Sequence, residues 1–157
     1  MKCIFAGTFD PVTNAHKYVV EQAIKTFGKV VVAVGVNQDK APLFTVEQRI
    51  EMLKCALDGL DVEIVSFYGL IVDFMKKQGI TVNVRGLRNQ ADYEYECKME
   101  YFNKKMYPEI QTYFMPTPAE YTFVSSTAVR SLIEINGDYS LFVPKGVEKL
   151  IKKYTKK

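Results

Sequence analysis

An uninterrupted apolar run at residues 30–36 limits the possible folds more than any other part of the sequence. A strand with one face in water alternates apolar and polar side chains, whereas this run contains no polar side chain. Continuous runs rich in β-branched residues are typical of strands buried on both faces of a parallel sheet. The run is also too short to span a bilayer, which takes about 20 apolar residues in a helix. It therefore predicts a central strand covered by helices on both sides.

Strand and helix patterns alternate along the rest of the chain. Four more strands are predicted, at residues 2–6, 62–65, 80–84 and 110–115. Helices are predicted after caps at Thr13 and Thr45, at residues 70–78 and 91–106, and near residues 127–135 and 146–154. This alternation produces parallel strands joined by right-handed crossovers. We expect one α/β domain, residues 1–157, with a Rossmann-like open parallel sheet of five strands, helices on both faces and C-terminal helices.

Composition narrows the possible partners. The formal net charge of +3 suits small anionic substrates but is too weak to indicate nucleic acid. Nothing at the N-terminus resembles a signal peptide, and no segment predicts a membrane partner. Three cysteines (Cys3, Cys55 and Cys97) match no metal or redox spacing, which is typical of reduced thiols in the cytoplasm.

Residues with phosphate-binding chemistry fall at one edge of the predicted sheet. Thr8, Arg85 and Pro116 each follow the end of a predicted strand, and Lys40 lies a few residues beyond another. Ligands of open parallel sheets bind beyond the carboxyl ends of the strands. The sequence therefore predicts an anion site at this edge, although Lys40 taken alone is typical of a solvated loop.

His16 is the only histidine in the chain and stands at the third position of the helix that Thr13 caps. Unpaired backbone N–H groups and the helix dipole favour an anion there. The same dipole disfavours imidazolium, so we expect a neutral ring that donates one N–H. The alternative is a histidine satisfied within the helix–sheet core.

Arginine is rare here and concentrated near the same edge. The four arginines are Arg49, Arg85, Arg88 and Arg130, and the last three fall in loops or near helix starts. A guanidinium suits phosphate oxygens better than an ammonium does, because its fork can donate two parallel hydrogen bonds. Alternatively, Arg85 and Arg88 form surface ion pairs with Asp92 or Glu94.

Two further segments complete the candidate site. A second helix start follows Tyr121, and its hydroxyls and free N–H groups could bind another anion, with Ser125 or Ser126 also acting as the N-cap. Glu96 belongs to a helix face with Glu94 and Glu100 that is typical of solvated surface.

Taken together, these motifs resemble one family. Gly7-Thr8-Phe9-Asp10-Pro11 followed by Thr13-Asn14-Ala15-His16 is similar to the nucleotidyltransferase signature of bacterial phosphopantetheine adenylyltransferases. Segments 40–45, 85–88, 91–96 and 123–127 are similar to the same family in order and spacing. The first motif alone would indicate the superfamily, whereas the set indicates this enzyme.

The resemblance implies a reaction and its setting. The phosphate of 4′-phosphopantetheine would attack the α-phosphate of ATP, giving dephospho-coenzyme A and pyrophosphate in coenzyme A biosynthesis. It also implies Mg²⁺, a cytoplasmic location and a homohexamer. Phe67, Tyr68 and Tyr101 are candidates for a subunit interface, or equally for the core.

The resemblance also implies roles for individual residues. His16 would stabilise the transition state, with Lys40 and Arg88 also in the catalytic set. The phosphopantetheine substrate would contact Thr8, Lys40, Ile71 and Arg85, although Ile71 also fits a plain core position. The residues implied for ATP are Thr8, Phe9, His16, Gly86, Leu87, Arg88, Glu96, Tyr121, Thr122, Phe123, Val124, Ser125, Ser126 and Thr127.

One position departs from the family pattern, and alternatives stay open. The family usually has glycine where this chain has Ala15, whose methyl group is a steric question because alanine adopts helical φ without strain. The alternatives are a nucleotidyltransferase for another small molecule, such as nicotinate mononucleotide or glycerol 3-phosphate, and a non-catalytic nucleotide-binding module.

Overall fold

The computed structural model describes residues 1–36 and 41–156 and contains one sheet of five parallel strands. The strands are β1 (Lys2–Gly7), β2 (Lys29–Val36), β3 (Val62–Tyr68), β4 (Val82–Leu87) and β5 (Gln111–Pro116). Their order across the sheet is β3-β2-β1-β4-β5. The expected open, Rossmann-like parallel sheet is confirmed, and the order reverses between β1 and β4.

In the part of the chain that the structure describes, six α-helices connect or follow the strands. They are α1 (Asn14–Phe27), α2 (Val46–Ala56), α3 (Ile71–Gln78), α4 (Gln90–Met106), α5 (Ser126–Glu134) and α6 (Val147–Thr155). A 3₁₀ turn at Ala119–Tyr121 precedes α5. Within the described ranges, every helix is too short or too polar to cross a membrane.

Both faces of the sheet carry a packed apolar core. Alternate residues of β1 face opposite ways: Cys3 and Phe5 join the larger cluster, together with residues of α1, α2, α5 and α6. Ile4 and Ala6 join the smaller cluster, which α3 covers. β2 is buried from Val30 to Val34, as the continuous apolar run predicts for a central strand.

Most predicted boundaries agree with the structure, but β4 begins later than expected. Gly79 adopts a left-handed conformation (φ 63°) that ends α3, and the Ile80 N–H still donates to the carbonyl of Met75. Ile80 and Thr81 therefore belong to the turn. β4 also ends later than expected, at Leu87, so Arg85 and Gly86 lie within the strand near its end instead of following it.

Candidate active site

A cavity of about 430 Å³ opens at the carboxyl ends of β1 and β4, where the strand order reverses. Its walls come from the turn after β1, the start of α1, the end of β4, one face of α4 and the start of α5. The cavity lies at the edge that the sequence indicated, at the topological switch point of the sheet.

The turn after β1 is shaped by Gly7 and Phe9. Phe9 is buried and has a φ of +50°, a left-handed conformation that an aromatic residue rarely adopts. Its ring packs 5.5 Å from the ring of Phe5 and 5.0 Å from that of His16, measured between centroids. A Cβ at Gly7 would lie 3.1 Å from the Phe9 ring, so any larger residue there would push the ring by a few tenths of an ångström. Phe9 thus reaches the core and supports the imidazole.

Thr13 caps α1 as predicted, and it also fixes the ring of His16. The Thr13 side chain accepts from the backbone N–H of His16, and the backbone N–H of Thr13 donates to Nδ1 of His16 at 3.0 Å. This is a reciprocal capping box in which the imidazole takes the place that Glu or Gln usually fills. Since Nδ1 accepts a hydrogen bond, the neutral ring carries its proton on Nε2.

The surroundings of His16 keep the ring neutral. Burial is the largest cause, and the positive charges of Arg88 and Arg85 act in the same direction, so that the pKa of His16 falls to about 3. His16 lines the cavity. At neutral pH it is therefore a hydrogen-bond donor, and it is a poor proton acceptor.

Arg85 is held by a carboxylate from α4. Its Nε and Nη2 donate to the two carboxylate oxygens of Glu96 at 2.8 and 2.6 Å, and Nη1 donates to the carbonyl of Ala6. Glu96 is buried, so the expectation that it faces solvent with Glu94 is wrong. The pair joins α4 to the adjoining ends of β1 and β4.

Arg88 is held in the same way by Asp92, which lies one helical turn before Glu96 on α4. Its Nε and Nη2 donate to Asp92 at 2.8 and 3.0 Å, and its Nη1 donates to the carbonyl of Val124 at 3.1 Å. Burial alone would raise the pKa of Asp92, but hydrogen bonds from the Arg88 side chain and backbone outweigh it and hold that pKa below its usual range. The alternative of an Arg88–Asp92 ion pair is thus present, inside the cavity wall.

These ion pairs do not use all the N–H groups of either arginine. A guanidinium has five N–H groups, and the described residues take three from Arg85 and three from Arg88. Two N–H groups of each remain for a ligand, and both side chains line the cavity. The carboxylates therefore fix the direction of the arginines while leaving donors for phosphate oxygens.

The start of α5 forms the opposite wall. Ser125 is the N-cap, since its hydroxyl accepts from the backbone N–H of Ala128 at 3.1 Å. Ser126 donates its hydroxyl to the carbonyl of Pro11 at 2.7 Å, which ties α5 to the turn after β1. Two helix N-termini, those of α1 and α5, therefore contribute to one cavity.

The cavity brings together most, though not all, of the residues singled out in the sequence. It is lined by Thr8, Phe9, His16, Arg85, Gly86, Arg88, Glu96, Val124, Ser125, Ser126 and Thr127. Leu87, Tyr121, Thr122 and Phe123 flank these residues in the chain without lining it. Ile71 instead packs against the smaller core cluster, and Lys40 lies outside the described residues.

Sequence reasoning gave no role to three charged residues around the turn: Asp10, Arg49 and Arg130. Arg49 is almost fully buried, and its guanidinium donates to the carbonyls of Thr8 (2.8 Å) and Gly35 (3.3 Å). Its position one turn before Leu53, on the buried stripe of α2, was a usable signal, because a charge there needs a partner.

The carboxylates that line the cavity are already engaged by protein N–H groups. Asp10, Asp92 and Glu96 line it, and each already accepts hydrogen bonds from backbone or arginine N–H groups. Across residues 1–36 and 41–156, no group of three His, Cys, Asp or Glu side chains could hold a metal ion. The described residues thus do not form a dedicated metal cage.

Comparison with known proteins places this geometry in a family context. The profile of the cytidylyltransferase-like family matches residues 4–132. A protein named phosphopantetheine adenylyltransferase from Heliobacterium modesticaldum is 43% identical over 145 residues, covering 92% of this chain and 86% of its own. Proteins of the same name from Nitrosomonas eutropha and Clostridium kluyveri are 41% and 42% identical, over 97% and 99% of this chain and 94% and 96% of their own.

Proposed function

The chain belongs to the phosphopantetheine adenylyltransferases of the cytidylyltransferase-like family, and we propose that it transfers the adenylyl group of ATP to 4′-phosphopantetheine. The products are dephospho-coenzyme A and pyrophosphate, a step of coenzyme A biosynthesis. The observation that carries the residue assignments is the meeting of a neutral histidine, two arginines and two helix N-termini on one cavity.

The reaction needs positioning more than proton transfer. A phosphate oxygen of 4′-phosphopantetheine forms a bond to the α-phosphorus of ATP, the bond from that phosphorus to the bridging oxygen breaks, and pyrophosphate leaves. The nucleophile is already an anion at neutral pH, so no general base is required. This agrees with a histidine whose pKa is about 3. What remains is in-line placement and relief of repulsion between anions.

His16 stabilises the charge that develops on the α-phosphate. His16 lines the cavity and its Nδ1 is held by Thr13, so the Nε2–H donor is fixed before the substrate arrives. A donor oriented in advance needs no reorganisation in the transition state. His16 is therefore the catalytic residue of the turn.

The two substrates divide the remaining groups. Thr8, Lys40 and Arg85 hold the phosphate of phosphopantetheine, and Ile71 contacts the pantetheine arm. Arg88 and the start of α5 hold the β- and γ-phosphates. The other residues assigned to ATP are Phe9, Gly86, Leu87, Glu96, Tyr121, Thr122, Phe123, Val124, Ser125, Ser126 and Thr127, and Thr8 contacts both phosphates. Support for this division is that Arg85 and Arg88 keep N–H groups for ligands.

Mg²⁺ is proposed to arrive on the phosphates of ATP. Magnesium commonly binds proteins through substrate phosphates with few protein ligands, and the described carboxylates of this cavity are already engaged. When bound, the ion would neutralise phosphate charge. The roles given to His16 and the arginines do not depend on it.

The remaining proposals concern the setting of the enzyme. We propose a homohexamer in the cytoplasm. Support for assembly is that α4 exposes large apolar side chains in the isolated chain: Tyr93, Tyr95, Met99, Tyr101, Phe102 and Met106. Contiguous apolar surface of this kind marks interaction sites in soluble proteins.

The test is a coupled assay of pyrophosphate release with ATP, MgCl₂ and a panel of acceptors. We expect release with 4′-phosphopantetheine and none above background with nicotinate mononucleotide or glycerol 3-phosphate. Release with another acceptor alone would replace the substrate assignment. Binding of ATP without release from any acceptor would favour a non-catalytic nucleotide-binding module instead.

A further inference from the structure

Asp10 and Arg130 occupy a position that the assignments above leave unused. Asp10 is in the turn after β1 and its side chain is 5% exposed, while Arg130 is on α5 with a half-buried side chain. Both line the cavity. A buried carboxylate is retained only where hydrogen bonds or an opposite charge compensate for lost water.

The carboxylate of Asp10 is fastened to the segment that follows residue 40. Its Oδ2 accepts from the backbone N–H of Leu43 and its Oδ1 from that of Phe44, each at 2.9 Å. Phe44 is buried in the larger core cluster, so the segment that Asp10 holds is also fixed by packing in the core. Asp10 therefore fixes the position of Leu43 and Phe44, the third and fourth residues after Lys40 in the sequence.

Arg130 fastens the same turn to α5. Its Nη1 donates to the backbone carbonyl of Asp10 at 2.6 Å and lies 3.7 Å from Asp10 Oδ2. Its Nη2 donates to the hydroxyl of Thr127 in the first turn of α5 at 3.2 Å. One guanidinium thus bridges the turn and the helix start across the cavity wall.

Arg130 differs from the other two cavity arginines in how it is paired. Arg85 and Arg88 each form a two-point contact with a carboxylate at 2.6–3.0 Å. The nearest carboxylate contact of Arg130 is 3.7 Å long, and its short bond goes to a neutral carbonyl. Its geometry is that of a link from α5 to the backbone of the turn, with Thr127 holding the guanidinium on the helix side.

We propose that Asp10 and Arg130 are positioning residues that set the spacing between the two phosphate sites. The inference rests on the proposed function, because it takes the start of α5 as the ATP side and the segment after Lys40 as the phosphopantetheine side. Arg130 holds the first to the turn, and Asp10 holds the second. The two residues therefore control the two substrates separately.

The experiment compares Arg130→Met, Arg130→Lys and Asp10→Asn in the full chain, with Lys153→Met as a control. Methionine removes the donors of Arg130 but keeps its length, and lysine keeps the charge and one donor. Asparagine keeps the shape of Asp10 but can accept from only one of the two N–H groups. Lys153 forms a surface ion pair of similar length with Glu51, 3.6 Å, outside the cavity.

For Arg130→Met we expect KM for ATP to rise about tenfold, the effect of losing one charge-assisted hydrogen bond, while KM for phosphopantetheine stays within about twofold. Arg130→Lys should recover most of the loss. Asp10→Asn should raise KM for phosphopantetheine more than KM for ATP. Lys153→Met should match the wild type.

Two results would overturn the inference: unchanged KM for ATP in Arg130→Met, or equal increases in both KM values that follow the loss of Tm. If the wild type releases no pyrophosphate, the proposed function fails by itself. The positioning of ATP by Arg130 is then tested by calorimetry, as the Kd for ATP in wild type, Arg130→Met and Arg130→Lys. Equal Kd values in the three proteins would show that Arg130 does not position ATP.

Discussion

The imidazole of His16 offers only one hydrogen to a ligand, because Thr13 occupies Nδ1 and leaves the proton on Nε2. Two contacts orient this hydrogen: the bond to Thr13 and the edge-to-face packing of the Phe9 ring. Substitution of His16 can therefore have two effects, loss of the hydrogen-bond donor and loss of the helix cap, and these can be measured separately.

His16→Ala and His16→Gln separate them. His16→Ala removes the Nε2–H donor, so we expect its kcat to fall about 10²–10³-fold, the usual size for one transition-state donor. His16→Gln replaces the rigid ring with a flexible amide that still carries N–H donors, so its kcat should fall less. Glutamine keeps the capping box, as Gln48 does at the start of α2, so His16→Gln should retain more thermal stability than His16→Ala. Wild-type kcat in His16→Ala would contradict the role of His16.

The depressed pKa of His16 can be read directly, because the chain has no other histidine. Protonation in the unfolded chain begins near pH 6.5 but in the folded chain only near pH 3. The unfolded state binds more protons between these values, so the contribution of His16 to stability is full above pH 6.5 and is lost as pH falls toward 3. We expect its NMR ring resonances to show no titration between pH 8 and pH 5. A midpoint near 6.5 would refute the neutral-donor assignment.

The sequence located these residues without showing how they are held. Arg85, Arg88 and His16 were identifiable because each stands at a strand end or a helix start, where spacing along the chain decides position. The partner of Arg85 was not identifiable, since Glu96 belongs to another element and only the packing of α4 on β4 turns it inward. The bridge from Arg130 to Asp10 likewise spans 120 positions of sequence.

Helix α1 depends on its cap in a way that the other capped helices do not. Its capping box includes the catalytic ring, whereas that of α2 joins Thr45 to Gln48 outside the cavity. The same local motif thus serves stability in one helix and the site in the other.

Thr13→Ala and Thr45→Ala form a matched pair. Each loses a capping oxygen, so each should reduce the free energy of unfolding by about 1 kcal/mol, measured by urea denaturation. Only Thr13→Ala should also lower kcat, since it removes a contact to Nδ1 of His16. Equal kcat values in the two variants would mean that the Thr13 side chain does not orient the ring.

Helix existence and type were predictable from caps and periodicity, but the environment of α4 was not. Its apolar spacing through Tyr95, Met99, Phe102 and Met106 correctly predicts a helix, yet those side chains are 36–60% exposed in the single chain. Periodicity reports which residues share a face and does not report what covers that face. The start of β4 was predicted too early for a similar reason, because periodicity does not show that the Ile80 N–H bonds back to α3.

The exposed face of α4 makes the proposed assembly measurable. Light scattering after size exclusion should give about six times the 18.0 kDa of one chain. A charge within the face, as in Phe102→Glu, should shift the mass downward, because it leaves an ionised group in an apolar interface. Leu141→Glu, at an exposed apolar side chain between α5 and α6, probes whether any exposed apolar residue has this effect. A monomeric wild type would remove the homohexamer.

The turn after β1 and the end of β4 meet through helix α1, and the contact is tight. A Cβ at Gly86 would lie 2.8 Å from Cγ2 of Val19, a buried and stiff side chain of α1. Closer than 3.0 Å, one partner has to shift, and any shift of α1 carries His16 with it. The order of substitutions at these two positions therefore matters, because a smaller residue must replace Val19 before position 86 can accept a side chain. Substitutions at positions 19 and 86 are consequently coupled to each other and to the position of His16.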